Sequence, residues 1–537
     1  MAGKGRSFWL TFTAVIVSIF LSALDLTGVA TALPTITADL EGGNLFVWVG
    51  SAYALSSTAI LPLSGRLADI FGRRPLMLAS IFFFALGSAL AGAAQNMHMM
   101  IAARTIQGIG GGGIINLCEI IVSDLVPLSE RGIYQGILGL TWSFASGIGP
   151  PIGGALASTN WRWLFYLNLP LSGIAFLLVS LFLRVKTPSG SMGEKLARVD
   201  WLGNGIGISG TTLAILGLTW AGVAYPWGSA PVLAPLIIGI VLIVVFLTYE
   251  LRMPVAREPT VPSDILANRN SLSGYLSTFF HGITSISIIY YLPVYFQACF
   301  DATPIRSGVD MLGTALVVAP FALIAGILVQ TLNRYIPSNV AGWVLTIIGF
   351  GLLSMLTADA TLGQWVGFQF VAAAGTGMIF AATVFPILAP LDVARTAAAL
   401  GFFAFCRAFA QTWGLTIAST ILQNELAKRL PVAFTSQFSS GFEIAYAAIP
   451  TIRGLEEPLK SEVRAAFAES MAVVWRAMIG VSCAGLLTCV LLTEVPMVQH
   501  TDETYGLNAM KNEDAEGATT MLTLVAEGDP KQSTASF

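Results

Sequence analysis

Fourteen apolar stretches dominate the sequence, at 8–30, 47–67, 76–94, 100–122, 134–157, 164–184, 201–220, 231–251, 271–295, 309–331, 340–357, 363–388, 398–422 and 471–493. A helix needs roughly 20 apolar residues to cross the hydrocarbon core of a bilayer. Backbone groups in lipid must be satisfied internally, so runs of this length select helices. Composition agrees: 55% of residues are hydrophobic and only 11% charged, against roughly 25% charged in soluble proteins. The expectation is an all-α integral membrane protein with fourteen transmembrane helices. The first stretch contains Asp25 and runs too long for a cleaved signal, so it reads as a span.

Basic residues set the orientation. With the amino terminus inside, fifteen lysines and arginines fall in inside segments, and only Arg162 and Arg306 fall in short outside loops. Both termini are then cytoplasmic. The long outside loop at 423–470 does not count toward this rule. The tail at 494–537 carries eight acids and two lysines and reads as disordered.

A weak internal repeat is visible. Gly65 and Arg73 in "GRLADIFGRR" are eight apart, as are Gly326 and Arg334 in "GILVQTLNR". If the two loops correspond, residues 1–200 form a six-helix bundle with a cytoplasmic linker and 256–493 form a second. Residues 201–255 are then an inserted helix pair. Two related bundles around a central cavity are a common transporter plan.

Charges inside the spans are few. Arg104, Arg407 and Arg476 are the basic ones, and Asp25 is the clearest acid. An ionised group at mid-bilayer costs about 2.5–3.5 kcal/mol and needs a partner or a wet cavity. Asp25 and Arg104 reach matching depth in the outer third, counting about 1.5 Å per residue. They make either a proton-operated switch or a static ion pair. His281, near the midplane, is either a packing residue or a proton relay. Arg407 either contacts substrate or caps backbone carbonyls. Glu119 lies where its span ends, within reach of water. Gln107, Trp142, His281, Tyr290 and Arg407 are the candidate lining of a substrate cavity.

Several functions are excluded. The net charge of −3 and the lack of a dense basic patch argue against nucleic-acid binding. The five cysteines form no CxxC pair, which removes a zinc site or disulfide framework. "GIGGGGI" at 108–114 lacks the Lys-Ser/Thr of a phosphate loop, and no Walker motif occurs, so ATP is not the energy source. No catalytic constellation is found, and no cofactor or metal is expected. "SGIGPPIGGALA" concentrates Gly147, Gly149, Gly153 and Gly154 around Pro150 and Pro151, which reads as a kinked, closely packed segment.

Four motifs in order resemble the major facilitator superfamily, and within it the fourteen-span drug:proton antiporters. They are "LDLTGVATALPTI" (24–36), "GRLADIFGRRP" (65–75), "RTIQGIGGG" (104–112) and "GIGPPIGG" (147–154). Ile70 stands where many members have a basic residue, and Ala145 where glycine is usual. "WRWLFYLNLP", "LTWAGVAYPWGS" and "YYLPVYFQA" resemble fungal members. The resemblance implies that Arg104, opposite Asp25, serves proton coupling. It implies that Gly65, Asp69, Gly72, Arg73 and Arg74 form a cytoplasmic latch. It also implies that Gly149, Pro150, Gly153 and Gly154 form an antiporter hinge where the two bundles meet.

The expectation is a proton-coupled exporter of small amphipathic molecules such as drugs, toxins or secondary metabolites, in the plasma or the vacuolar membrane. Its partners are the substrate, protons and lipid. The alternatives are a proton-coupled carrier of a siderophore, organic acid or nutrient, and a non-transporting membrane sensor.

Overall fold

The computed structural model of the chain describes residues 5–497 apart from 42–44, 46, 186–187, 223–224, 253–257 and 437–448. Nearly all of the acidic tail therefore lies outside the described residues. Long helices occupy all fourteen apolar stretches. In chain order they are α1 (Arg6–Asp39), α2 (Val47–Phe71), α3 (Arg73–Gly92), α4 (Met97–Leu125), α5 (Leu128–Thr159), α6 (Asn168–Phe182) and α7 (Trp201–Trp220). There follow α8 (Ala230–Arg252), α9 (Arg269–Cys299), α10 (Leu312–Leu332), α11 (Ile336–Leu353), α12 (Leu362–Ala382), α13 (Thr396–Arg429) and α14 (Leu459–Thr488). Short helices join them, and no strand occurs among the described residues.

Among the described residues, twelve helical segments are long and apolar enough to cross a membrane. α2 and α5, which carry serine, threonine, glycine and proline among their apolar residues, are not among the twelve. The stretch at 423–470, expected as a loop, is partly helical. α13 continues through charged residues to Arg429, with Glu425 paired to Lys428 and Arg429 one turn on, and α14 starts at Leu459. Such pairs extend a helix beyond its apolar part.

Packing repeats with an offset of eight helices. α1 packs on α5 and α6, as α9 does on α13 and α14. α4 lies between α2 and α3, as α12 lies between α10 and α11. The two groups then meet along two equivalent seams, α2 with α13 and α5 with α10. α7 and α8 pack on each other, and α7 also rests on α2 and α13.

Glycines allow these approaches. A Cβ on Gly108 would lie 2.4 Å from the Tyr53 carbonyl on α2, and one on Gly110 would lie 2.3 Å from the Phe84 nitrogen on α3. The "GIGGGGI" run is therefore a two-sided packing strip. On α12, Gly375 and Gly377 play the same part against α11 and α10.

Candidate functional site

Asp25 on α1 and Arg104 on α4 are in contact, with Arg104 Nη1 donating to Asp25 Oδ2 at 2.7 Å. Both are buried, at 2% and 1% exposure. The other carboxylate oxygen, Oδ1, accepts from Gln107 Nε2 (2.9 Å) and from Asn168 Nδ2 (2.7 Å), the first residue of α6. Both amides also reach Ser88 Oγ on α3. Arg104 donates further to Gln107 Oε1 and to the Val49 carbonyl, and its guanidinium lies 4.6 Å from the Tyr53 ring centre. The anion is held by three donors in a water-poor site, the condition under which charge-assisted bonds are strong.

Gln107 is therefore a partner of Asp25 and is wholly buried. Asn168 and Ser88 escaped the sequence reading, because a lone amide and a lone hydroxyl on other helices carry no signal in one dimension. Trp142 packs with Ala23 and Leu24 of α1. Tyr290 is 48% exposed, whereas Tyr291 is buried and donates to the Leu415 carbonyl.

The loop between α2 and α3 is densely bonded. Gly72, which caps α3, has φ of 95°, a conformation that glycine adopts without strain. It turns the chain so that Arg73 Nη1 meets Asp69 Oδ1 at 2.9 Å and Arg73 Nε meets Asp124 Oδ2 on α4 at 2.8 Å. Arg66 joins Asp69 (3.4 Å) to Glu258 in the linker after α8 (3.2 Å). Arg74 donates to the Ser180 carbonyl on α6. Asp124 and Glu258 were not foreseen.

The equivalent loop after α10 docks differently. Arg334 pairs with Glu494 at 3.5 Å, and Tyr335 donates its hydroxyl to the Thr493 carbonyl. Burial pushes the Tyr335 phenol up to about 12.

At this end of the bundle the two groups touch. A Cβ on Gly65 would lie 2.5 Å from the Ala397 carbonyl on α13, and one on Gly132 would lie 2.3 Å from Gly326 on α10. The repeated glycines Gly65 and Gly326 are thus the contact points of the two seams. In the expected hinge segment, Gly147 faces Leu312 of α10, 3.7 Å from where its Cβ would stand. Gly149 presses on Thr27 and Gly28 of α1, inside its own group, where its Cβ would meet Thr27 Oγ1 at 2.1 Å. Gly153 is buried, Gly154 has open space, and helix α5 is continuous through positions 150 and 151. The side chain of Pro150 lies outside the described residues.

The second intramembrane cluster joins the groups. Arg407 on α13 lies 3.6 Å from Glu119 on α4, between the rings of Phe380 and Phe403 at 4.3 and 4.4 Å. It donates to the Phe380 carbonyl. Glu119 is buried, contrary to the expectation that it reaches water, because α13 covers it. His281 on α9 bonds the Thr376 carbonyl through Nε2 at 3.0 Å, and its ring lies 6.3 Å from that of Phe380. No group of residues able to hold a metal ion is found among the described residues.

The fold and this pairing of motif residues meet a direct match. The sequence profile of the Major Facilitator Superfamily matches residues 15–415. The chain belongs to the major facilitator superfamily. It is 38% identical over 516 residues to the Efflux pump FUS6 of Gibberella fujikuroi, covering 95% of this chain and 93% of that one. It is 36% identical over 514 residues to the Acurin A biosynthesis cluster MFS-type transporter of Aspergillus aculeatus, covering 94% and 92%. The solved structure of the human organic anion transporter MFSD10 (TETRAN) superposes with a TM-score of 0.56 at 16% identity, covering 89% of this chain and 100% of that one. At that identity the likeness concerns the fold alone. As a superfamily member with twelve such helices, the chain is an integral membrane protein.

Proposed function

We propose that the chain is a proton-driven exporter of small organic molecules, including fungal secondary metabolites, that works by alternating access in the plasma membrane. The observation that carries this reading is the buried Asp25–Arg104 pair. It is an ionisable couple at membrane depth, fully bonded to its surroundings, in a chain related over nearly its whole length to a named efflux pump. In this reading α2 and α5 also cross the bilayer, each within a layer of apolar neighbours, which makes fourteen spans. They form two six-helix bundles, α1–α6 and α9–α14, with α7 and α8 inserted and both termini cytoplasmic. The repeated packing supports that division.

The α2–α3 loop is the cytoplasmic latch, and the seams at Gly65 and Gly132 are closed in this conformation. Asp25 takes a proton from the outside, which releases Arg104, and gives it up inside. The driving force suffices. One proton gains about 2.3 kcal/mol per 100 mV and about 1.4 kcal/mol per pH unit. At 100 mV and one pH unit, that supports roughly a 500-fold gradient of a neutral solute. The test compares metabolites inside and outside cells with and without the protein, followed by proton flux in vesicles with the metabolite so identified. Export that moves no protons would refute the coupling.

A further inference from the structure

Glu119 and Arg407 differ from Asp25 and Arg104 in two respects. The first is location. Asp25 and Arg104 both belong to α1–α6, so their pair survives any movement of one bundle against the other. Glu119 stands on α4 and Arg407 on α13, so their pair spans the two bundles. It lies on the same side as the closed seam at Gly65 and Ala397, about three turns before Arg407 in the same helix.

The second difference is bonding. The Asp25 carboxylate accepts three hydrogen bonds. Glu119 has only the guanidinium at 3.6 Å, beyond hydrogen-bond length. Its Oε2 is buried with no hydrogen-bond partner, and so are Arg407 Nε and His281 Nδ1. Three unpartnered polar atoms on three helices therefore gather around Arg407, whose guanidinium and the His281 ring both lie beside Phe380. Buried polar atoms normally find partners, so this cluster is poised to take up a proton or water. The charged and titratable groups near it are few. Arg407 acts on Glu119, Glu119 acts on Arg407, and Arg407 acts on His281. The thiols of Cys118 and Cys406 are chain neighbours of the pair.

We propose that Glu119 is a second proton-carrying site of the transporter, and that its ion pair with Arg407 bolts the two bundles together on the latch side. This rests on the proton-driven reading above. In the closed state, Glu119 is an anion and holds Arg407 across the seam. A proton arriving at Oε2 forms an O–H bond and cancels the negative charge. Arg407 remains a cation, retained by the two phenylalanine faces and by water that enters as the bundles part. When the inner side opens, the proton leaves for the cytoplasm, substrate loads, and the pair re-forms on closure. The cycle then carries two protons, at Asp25 and Glu119. The orphaned Nε and Nδ1 are free to meet water in the open state.

The test uses the full chain, purified in detergent, and needs no substrate, so it is independent of whether export is proton-driven. Infrared difference spectra are taken between acidic and alkaline buffers. A protonated-carboxyl band is expected that is lost in Glu119→Gln and kept in Asp25→Asn. Its titration midpoint is expected to shift by about one pH unit or more in Arg407→Gln and to stay in place in Arg104→Gln. If Glu119→Gln does not fold, the Arg407→Gln shift decides. A carboxyl spectrum unchanged by Glu119→Gln, or a midpoint indifferent to Arg407, overturns the proton site. The bolt is read by spin labels at Arg184 and Thr331, exposed on the two bundles at that end, with Cys483→Ser as background. The distance is expected to lengthen in Glu119→Gln, and an unchanged distribution overturns the bolt. Failure of the export reading would appear instead in the vesicle flux experiment.

Discussion

Gly326 on α10 approaches Gly132 on α5 so closely that a Cβ on Gly326 would stand 2.3 Å from the carbonyl carbon of Gly132. Two backbones touch there with no side chain between them. Gly65 makes the equivalent approach to Ala397 at the other seam. Closure at this end is therefore backbone against backbone at two points, which only small residues permit.

Leucine at Gly326 or at Gly65 should hold the seam open. Overpacking costs about 1–3 kcal/mol, which depletes the closed state by about 5- to 150-fold. Both variants should reach the membrane in ordinary amounts yet lose export to a similar degree. Initial export rates, normalised to membrane-inserted protein, check this. A fully active Gly326→Leu would show that the contact is not needed.

Arg73 bridges two buried carboxylates, Asp69 and Asp124. Arg73→Ala takes the ion-pair partner from Asp124 and the closer of two from Asp69, which keeps Arg66; breaking a buried pair costs about 3–5 kcal/mol, which thermal unfolding in detergent should register. Asp69→Asn is milder, since Arg73 keeps Asp124. It should slow transport of every substrate alike with little change in binding, because the loop lies at the bundle end. A loss confined to one substrate would argue for direct contact.

Asp25→Asn imitates the protonated acid permanently. Uphill export and proton movement should stop while substrate binding persists. Arg104→Ala should be at least as damaging, because it leaves a buried carboxylate without its cation. Arg104→Lys should restore little, as an ammonium cannot serve Asp25, Gln107 and the Val49 carbonyl together. Asn168→Ala should move the pH profile of export without abolishing it. Vesicle flux across pH separates these outcomes, and wild-type proton flux in Asp25→Asn would make the pair purely structural.

Within the glycine-rich part of α5, the effect of added bulk should depend on position. Gly149→Leu drives a side chain into Thr27 and should impair folding or transport severely, whereas Gly154→Leu meets open space and should be nearly silent. Expression and export measured side by side settle it. Equal damage from both would mean the segment acts through flexibility and not through contact.

Much of this arrangement was legible in one dimension. Apolar length alone located the helices, and counting residues from each membrane face placed Asp25 beside Arg104. The repeat of Gly65 and Gly326 was readable too, though its meaning lay in partners on α13 and α5. What stayed hidden depended on helix neighbours far apart in the chain: Asn168 on Asp25, Asp124 on Arg73, Glu119 on Arg407. Spacing within one helix cannot reveal which face of another will cover it. The reach of α13 to Arg429 was missed for a simpler reason, since a helix continues on charged pairs after its apolar stretch has ended.

The accessory pair α7 and α8 breaks the two-fold likeness of the bundles on one side only. Ala59 and Pro62 of α2, Phe402 and Phe405 of α13, and Ile243 and Phe246 of α8 line one narrow crevice, so that seam is screened from the surrounding lipid. Among the described residues, α7 and α8 make no comparable packing with the matching seam between α5 and α10. For a greasy molecule already dissolved in the bilayer, the two flanks of this transporter are therefore unequal doorways: a sideways approach meets a wall at α2 and α13 and an unguarded edge at α5 and α10.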